Sequence, residues 1–322
     1  MIKRLFRSLA YMGLREKIQK GTFYPPAARF FVRRKIKKAC RSGPVPWPLI
    51  ANIETVNSCN AGCLFCYHSK MKRESMVMDG GLYQEIIDQC AGLGINQVML
   101  NAYGEPLMDE YLPQRISYAK KKGIGRVGFF TNASLLNTEK AKELIASGVD
   151  EICVSLDAAT QGTYQDQRRG LDYDRVIANL RGLLKLRAGR PKVHLFFAAF
   201  AQNKKEIGLF KRAWQGKVDS VNIGSGYSTD VRGMERKNFP PCPYLWKRIA
   251  ILSNGEVALC CQDYDASSTI GNLRSSGIRE IWQGKTMETY RKAHLAGESG
   301  SISACGRCEL NLWMRWVVPF RF

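Results

Sequence analysis

Short apolar runs alternate with amphipathic segments through most of the chain. Runs rich in Val, Ile and Phe predict buried β-strands. The six predicted strands are Ile50–Val56, Gln97–Ala102, Arg126–Thr131, Glu151–Leu156, Val193–Phe200 and Ser220–Ile223. The helices predicted between them are Gly80–Leu93, Glu110–Lys122, Thr138–Ser147, Asp172–Arg187 and Lys204–Gln215. This alternation predicts βα units joined in one parallel sheet.

Three distinctive stretches directly follow predicted strands. Tyr103-Gly-Glu-Pro106 comes after the second strand, Thr131-Asn132 after the third, and Ser155-Leu-Asp157 after the fourth. Each is ordinary turn chemistry when taken alone. Because parallel sheets bind ligands beyond the carboxyl ends of their strands, the shared edge predicts a ligand site.

The loop after the first strand holds three thiols, in the stretch Cys59-Asn-Ala-Gly-Cys63-Leu-Phe-Cys66-Tyr67. Three thiolates can ligate three irons of a [4Fe–4S] cluster and leave the fourth iron open, whereas an electron-transfer cluster takes four cysteines. A structural zinc site also takes four ligands. Zinc is therefore the alternative from this stretch alone, with His68 as the fourth ligand, although His68 would reach the same metal only with strain.

A second set of thiols lies late in the chain, at Cys242, Cys260, Cys261, Cys305 and Cys308. Leaving out Cys261, four of them suffice for a fully ligated [4Fe–4S] cluster or an all-thiolate zinc site. A hairpin is predicted around Asn254-Gly255, which separates two short apolar runs. Since we find no secretory signal, metal ligation explains the 11 cysteines better than disulfides do.

The net charge of +21 is concentrated near the N-terminus. Residues 1–48 hold 13 Lys and Arg against a single acidic residue, Glu16. Apolar residues recur there at helical spacing, which predicts a basic amphipathic helix within residues 1–40 that suits an anionic membrane surface. A helix packed on the main domain is the equal alternative. Nucleic acid is a less favoured third, because no recognised motif accompanies the charge.

No run of about 18 apolar residues predicts a membrane span. The N-terminus also lacks the apolar core of a signal peptide. We therefore expect a cytoplasmic protein, with peripheral attachment to the membrane as the alternative.

The three-thiol loop, with Phe65 before its last Cys and Gly104-Glu105 after the second strand, resembles the radical S-adenosylmethionine (SAM) superfamily. The resemblance covers residues 49–235. It implies a partial (β/α)6 barrel with an α/β fold, in which Cys59, Cys63 and Cys66 hold a [4Fe–4S] cluster and SAM chelates the open iron.

The resemblance also implies the residues that contact SAM. Phe65 is expected beside the adenine, Gly104 and Glu105 at the amino group, Asn132 and Ser155 at the ribose or methionine moiety, and Arg169 at the carboxylate. Tyr103 stands where the family motif usually has a second glycine. A solvated basic loop is the alternative for Arg169.

Residues 236–322 resemble the small α+β modules of these enzymes known as SPASM and, in shorter form, twitch. The matching features are Cys242, Gly255, Cys260, Gly271-Asn272, Ile281-Trp282 and the closing C-x2-C. Only 14 residues follow Cys308 and none is Cys, so we expect one auxiliary [4Fe–4S] cluster. The spacing resembles that of an aminocyclitol dehydrogenase of this group, which oxidises a secondary alcohol to a ketone.

These features together predict a radical SAM oxidoreductase with SAM and two [4Fe–4S] clusters. We expect it to oxidise an alcohol of a small sugar- or cyclitol-type substrate, or a lipid-linked one, with the auxiliary cluster as electron acceptor and flavodoxin or ferredoxin as reductant. The alternatives are a radical epimerase, a peptide-modifying maturase and a metal-binding nucleic-acid regulator.

Three residues have roles that the sequence leaves open. Cys261 is a ligand in place of Cys260, a spare buried thiol, or the hydrogen-atom donor of an epimerase. Asp263 is a catalytic base or only holds its loop. His194 lies in an apolar strand and is predicted to be a core residue rather than a catalyst.

Overall fold

The computed structural model describes residues 47–225, 241–306 and 308. The predicted basic helix at residues 1–40, with its membrane, packing and nucleic-acid alternatives, lies outside the described residues. In the part of the chain that is described, no helix is long and apolar enough to cross a membrane.

The described strands form a nine-stranded sheet and a two-stranded sheet. They are β1 (Ile50–Ile53), β2 (Gly62–Cys63), β3 (Gln97–Met99), β4 (Arg126–Thr131), β5 (Glu151–Ser155), β6 (Arg168–Arg169), β7 (Lys192–Ala199), β8 (Ser220–Ser225), β9 (Arg248–Ile251), β10 (Glu256–Ala258) and β11 (Thr269–Asn272). The large sheet has the order β11-β10-β9-β1-β3-β4-β5-β7-β8.

Each of the six predicted strands is present, and neighbours among β1, β3, β4, β5, β7 and β8 pair in parallel. The helices are Gly80–Gly92, Leu112–Lys121, Thr138–Ala146, Gln161–Gln167, Tyr173–Leu186, Ile207–Trp214, Ile278–Gln283, Lys285–Ala296 and Ser303–Gly306. The α/β architecture with its large parallel sheet confirms the predicted fold class. The first two strands end earlier than predicted, because the chain leaves the sheet there to form the site loops.

Alternate side chains of the parallel strands point to opposite faces of the sheet. Val98, Val127 and Ile152 belong to the fully buried core that the strands share with the helices. On the other face, the rings of Phe130 and Phe196 pack with centroids 4.8 Å apart. His194 lies on this inner face too, in register with Cys153 and Ser220.

His194 has polar neighbours at both ring nitrogens. Nδ1 lies 2.8 Å from Ser220 Oγ, and Nε2 lies 3.5 Å from Glu151 Oε2. These contacts agree with the core interpretation of His194.

The late hairpin continues the sheet of the barrel. β9 pairs in parallel with β1, and β10 returns antiparallel to β9 around Asn254-Gly255, where Gly255 has φ +92°. Only a residue that tolerates the left-handed region fits such a position readily. The C-terminal module is therefore joined by backbone hydrogen bonds to the strand that leads into the three-thiol loop.

Candidate active site

The three-thiol loop leaves the carboxyl end of β1. Cys59, Cys63 and Cys66 are half-buried, and Cys63 lies in β2. Burial raises the pKa of all three thiols, that of Cys59 to about 12. The charges of Cys63 and Cys66 raise the pKa of Cys59 further, which shows that the three thiols lie close together.

This donor set fits a cationic metal centre. A buried cluster of thiolates is unfavourable without a cation, and a coordinated metal deprotonates a thiol outright. Three neighbouring thiols that share one loop offer sulfur ligands of the kind that iron–sulfur clusters take.

His68 is held by the backbone. Its Nε2 donates a hydrogen bond to the Asn57 carbonyl oxygen at 2.8 Å. Within residues 47–225, 241–306 and 308, no three His, Cys, Asp or Glu side chains are close enough to hold a single metal ion. The backbone contact of His68 does not favour the zinc alternative with His68 as fourth ligand.

Arg168 connects the three-thiol loop with the end of β5. In the two-stranded sheet, Cys63 of β2 lies opposite Arg168 of β6. The buried Arg168 guanidinium pairs with Asp157 through Nε and Nη2, and its Nη1 lies 3.7 Å from Cys63 Sγ. It also lies 5.6 Å from the centre of the Phe65 ring. The charge of Arg168 lowers the pKa of Cys63, against the larger effect of burial.

The sequence analysis did not identify Arg168 as a site residue. It identified Arg169 instead. Arg169 follows it in β6, opposite Gly62, and is exposed. Successive side chains of a strand point to opposite faces, so one residue of the Arg-Arg pair must face the loop. The sequence could have indicated Arg168 only if residues 168–169 had been recognised as a β-strand, because the opposite orientation of the two arginine side chains follows from strand geometry.

Gly104 and Glu105 pack against the exit of β1. A Cβ at Gly104 would lie 2.1 Å from the Val56 carbonyl oxygen, so only glycine fits there. The next residue donates its backbone N–H to Ser58 O at 2.8 Å. The loop after β3 therefore supports the first part of the three-thiol loop.

The Glu105 carboxylate is buried and accepts three hydrogen bonds. Its donors are Thr131 Oγ1 at 2.6 Å, Asn132 N at 2.7 Å and Leu107 N at 3.2 Å. Burial raises its pKa, and these bonds act in the opposite direction. Glu105 thus ties the loop after β3 to the end of β4.

The Asn132 side chain reaches the three-thiol loop, where its Nδ2 donates to Asn60 Oδ1 at 2.9 Å. Phe65 stacks on Phe200 just beyond β7, with ring centroids 4.8 Å apart. Ser155 is the last residue of β5. The structure thus brings most of the expected SAM residues to one edge of the sheet, whereas Arg169 is exposed in β6. Their contacts with SAM stay predictions.

The late thiols also lie together. Burial raises the pKa of Cys260 well above its usual range, and the charges of Cys261, Cys242 and Cys308 raise it further. Cys308 donates its backbone N–H to the carbonyl oxygen of Cys305 at 3.1 Å. All four predicted ligands of the auxiliary cluster are therefore neighbours.

His294 joins two of these thiol-bearing segments, a contact that the sequence did not suggest. Cys242 donates its backbone N–H to His294 Nδ1 at 3.3 Å, and His294 Nε2 lies 3.3 Å from Cys305 Sγ. The side chain is buried in the helix Lys285–Ala296. A single His in a helix has no sequence pattern that would indicate contacts with distant cysteines.

Cys261 faces the neighbouring tyrosine. Its thiol contacts the hydroxyl of buried Tyr244, and burial followed by the charge of Cys261 raises the pKa of that hydroxyl well above its usual range. Tyr244 Oη in turn lies 3.2 Å from Asn52 Oδ1 in β1. Cys261 is thus directed to the sheet of the barrel.

Asp263 is bonded within its own loop. Oδ1 accepts hydrogen bonds from Ser267 N at 2.8 Å and Ser267 Oγ at 2.7 Å, and Oδ2 accepts one from Ser268 N at 2.8 Å. These contacts favour the loop-holding interpretation and leave little capacity for Asp263 to act as a base.

Arg73 joins the two thiol-bearing regions. It donates to both carboxylate oxygens of buried Glu54 at 2.7 Å and to the Tyr264 carbonyl oxygen at 2.7 Å. The Tyr264 ring stacks on Tyr67 with centroids 5.1 Å apart. The loop after Cys260 is therefore fixed against the chain that follows Cys66.

Residues 53–207 match the family model of the radical SAM superfamily, and residues 242–309 match SPASM, an iron–sulfur cluster-binding domain. The chain thus contains a radical SAM domain followed by a SPASM domain. The radical SAM domain implies a [4Fe–4S] cluster and SAM, and the SPASM domain implies auxiliary iron–sulfur clusters, which confirms the predicted cofactors. Proteins of this family act with a reductant on small molecules or peptides.

Curated relatives of this radical SAM protein include synthases and cofactor-modifying proteins. An Fe-coproporphyrin III synthase from Methanosarcina barkeri is 34% identical over 170 residues, which are 51% of this chain and 40% of that protein. The match thus spans less than half of that relative. A tungsten-containing aldehyde ferredoxin oxidoreductase cofactor-modifying protein from Pyrococcus furiosus is 29% identical over 80% of this chain and 86% of its own.

Solved structures share the fold at low identity. BtrN in complex with AdoMet and 2-DOIA has a TM-score of 0.58 and 19% identity, covering 82% of this chain and 93% of its own. SuiB of Streptococcus suis bound to the precursor peptide SuiA has a TM-score of 0.63 and 15% identity, covering 94% and 84%. These likenesses establish the fold and do not choose between the two kinds of substrate.

Exchanging Arg168 for Met should destabilise the radical SAM domain by about 3 kcal/mol, because Asp157 is left buried without its partner. The combined Asp157→Asn and Arg168→Met variant should cost less than Arg168→Met alone, since it buries no charge. The urea midpoints of the three proteins measure this difference. If the double variant is less stable than Arg168→Met, the buried pair does not account for the loss.

The iron content of two alanine variants distinguishes whether Cys260 or Cys261 is the cluster ligand. We expect Cys260→Ala to lower the iron content of reconstituted protein from about eight to about four per chain, as two four-iron clusters imply. Cys261→Ala should keep all of it. The opposite result would assign the ligand to Cys261.

Proposed function

We propose that this radical SAM enzyme oxidises a secondary alcohol of a sugar or cyclitol, with one auxiliary cluster held by Cys242, Cys260, Cys305 and Cys308 as the electron acceptor. The observation that carries the proposal is the gathering of these four thiols into one group. Four thiolates close every iron of a [4Fe–4S] cluster, so such a cluster exchanges electrons and does not bind substrate. The similarity in fold to BtrN, solved with 2-DOIA, supports this choice.

When bound, SAM and the two clusters would supply the redox chemistry, which takes one hydrogen atom from the carbinol carbon and one electron from the substrate while the hydroxyl hydrogen leaves as a proton. The protein supplies binding, orientation and exclusion of water. A one-electron donor such as flavodoxin or ferredoxin would supply the electron that reduces the radical SAM cluster.

The residues that would hold these groups lie at one edge of the sheet. Cys59, Cys63 and Cys66 would ligate the radical SAM cluster. The SAM contacts that we propose are those of Phe65, Gly104, Glu105, Asn132, Ser155 and Arg169. Glu105 and Asn132 are already fixed by hydrogen bonds, so they would not need to reorganise when SAM binds.

The contacts of Arg73 would help to exclude water from the reaction. Its side chain joins Glu54, directly after β1, to the Tyr264 carbonyl oxygen in the loop after Cys260. A loop fixed in this way would cover one side of the proposed site. Exclusion of water protects a radical from side reactions.

The test is turnover with candidate cyclitols deuterated at the carbinol carbon, using anaerobically reconstituted enzyme. We expect about eight irons per chain, deuterium in the 5′-deoxyadenosine and a ketone product. Zinc in place of iron, or no 5′-deoxyadenosine, would refute the proposal. Modification of a peptide in place of the alcohol would make the chain a maturase.

A second candidate is a radical epimerase, because the partly exposed thiol of Cys261 lies beside the proposed auxiliary-cluster ligand Cys260. In that case the Cys261 thiol returns a hydrogen atom to the opposite face of the substrate carbon. The two functions differ in two readouts. An epimerase incorporates deuterium from D2O at that carbon and loses product formation in Cys261→Ala with all irons kept, whereas the dehydrogenase does neither.

A further inference from the structure

His294 lies between two of the proposed auxiliary-cluster ligands. It receives the Cys242 N–H at Nδ1, and its Nε2 lies 3.3 Å from Cys305 Sγ. The side chain is 3% exposed, so water does not compete for these contacts.

The contact with Cys242 determines which nitrogen carries the proton. A backbone N–H can only donate, so His294 Nδ1 must accept and is unprotonated. The single proton of the neutral ring is then on Nε2, which points at Cys305 Sγ. The geometry therefore makes His294 a donor of an N–H···S hydrogen bond.

We infer that His294 is a positioning residue that raises the reduction potential of the auxiliary cluster by donating this hydrogen bond to Cys305. The inference rests on the proposed function, since it takes Cys305 as a cluster ligand. Hydrogen bonds to the sulfurs are among the factors that set cluster potentials, and partners of metal ligands tune the metal.

The direction follows from the charge. Reduction adds an electron to the cluster and increases the negative charge on its sulfurs, so an N–H donor stabilises the reduced state more than the oxidised one. The bond therefore makes the cluster a better electron acceptor. Low exposure strengthens the effect, because a hydrogen bond is stronger where water is excluded.

Two amide substitutions separate the donor from the acceptor. In His294→Gln the amide nitrogen can reach the position of Nε2 and donate to Cys305. In His294→Asn the shorter side chain can still accept from the Cys242 N–H and cannot reach Cys305. Both are made in a parent that carries Cys59→Ala, Cys63→Ala and Cys66→Ala, so that only the auxiliary cluster contributes to the spectrum.

The measurement is an EPR-monitored redox titration of the auxiliary cluster. We expect His294→Asn to make reduction about tenfold less favourable, a decrease of about 59 mV for a one-electron couple. His294→Gln should stay close to the parent. Equal potentials in the Asn variant and the parent, or equal shifts in both variants, would overturn the inference.

A second measurement does not depend on the variants. The chain has three His residues, so 15N-histidine labelling is selective. Pulsed EPR of the reduced auxiliary cluster in the parent should show a 15N coupling from His294. A cluster without this coupling overturns the inference even where the variants fail to assemble.

The iron content distinguishes failure of the role proposed for His294 from failure of the proposed auxiliary cluster. A parent with about four irons and no potential difference between the variants refutes the role of His294 and leaves the auxiliary cluster standing. A parent without iron refutes both. The identity of the substrate affects neither result.

Discussion

We expect Cys63→Ala to abolish the reductive cleavage of SAM and to lower the iron content of the reconstituted protein from about eight to about four per chain. Cys63 is one of three neighbouring thiols in this loop, and its charge raises the pKa of Cys59. Losing one ligand leaves two thiolates for three irons. The loss should therefore be complete rather than partial.

Iron analysis and a 5′-deoxyadenosine assay measure this result together. Cys90→Ala is the matched control, since Cys90 is a fully buried thiol of the hydrophobic core. It should keep all the irons and the activity, at a small cost in stability. Residual SAM cleavage by Cys63→Ala near the level of the unmodified protein would contradict the assignment of this loop.

Gly104→Ala should lower the affinity for SAM at least tenfold and destabilise the domain by about 3 kcal/mol. The added Cβ would lie 2.1 Å from Val56 O and 2.9 Å from Asn57 Cα. Both obstacles are backbone atoms at the exit of β1, so no side chain can move aside to relieve the contact. The three-thiol loop itself has to shift.

Gly92→Ala is the control for this prediction. Gly92 ends the helix Gly80–Gly92, and nothing lies within 4 Å of a Cβ added there. It should leave SAM affinity unchanged and keep or slightly raise stability. Equilibrium SAM binding and urea unfolding of both variants provide the comparison. Similar values for the two would show that the close approach at Gly104 is not important.

The fold was largely readable from the sequence. Buried parallel strands and amphipathic helices have distinct periodicities, which is why Arg126–Thr131 was predicted with its observed bounds. The two-residue strands β2 and β6 could not be found in this way. A pair of residues has no periodicity, and its pairing depends on chain segments that are about 100 residues apart.

The sequence predicted the cysteines of the candidate site, but it did not predict most of the residues that contact them. Cysteine spacing is a local property, so Cys59, Cys63 and Cys66 are visible in one stretch of sequence. Contacts such as those of Arg168 and His294 join segments that are distant along the chain. The role of Asp263 was left open because the conformation of its loop, which decides the groups that donate hydrogen bonds to its carboxylate, could not be predicted from the sequence.

The pairing of β9 with β1 has a consequence for any shortened form of the protein. Without the SPASM domain, β1 would become an edge strand of the parallel sheet, with the backbone groups that now bond Arg248–Ile251 left open. Exposed edges of this kind pair with other chains and promote aggregation. The SPASM domain therefore also protects the barrel against self-association, apart from any role in electron transfer.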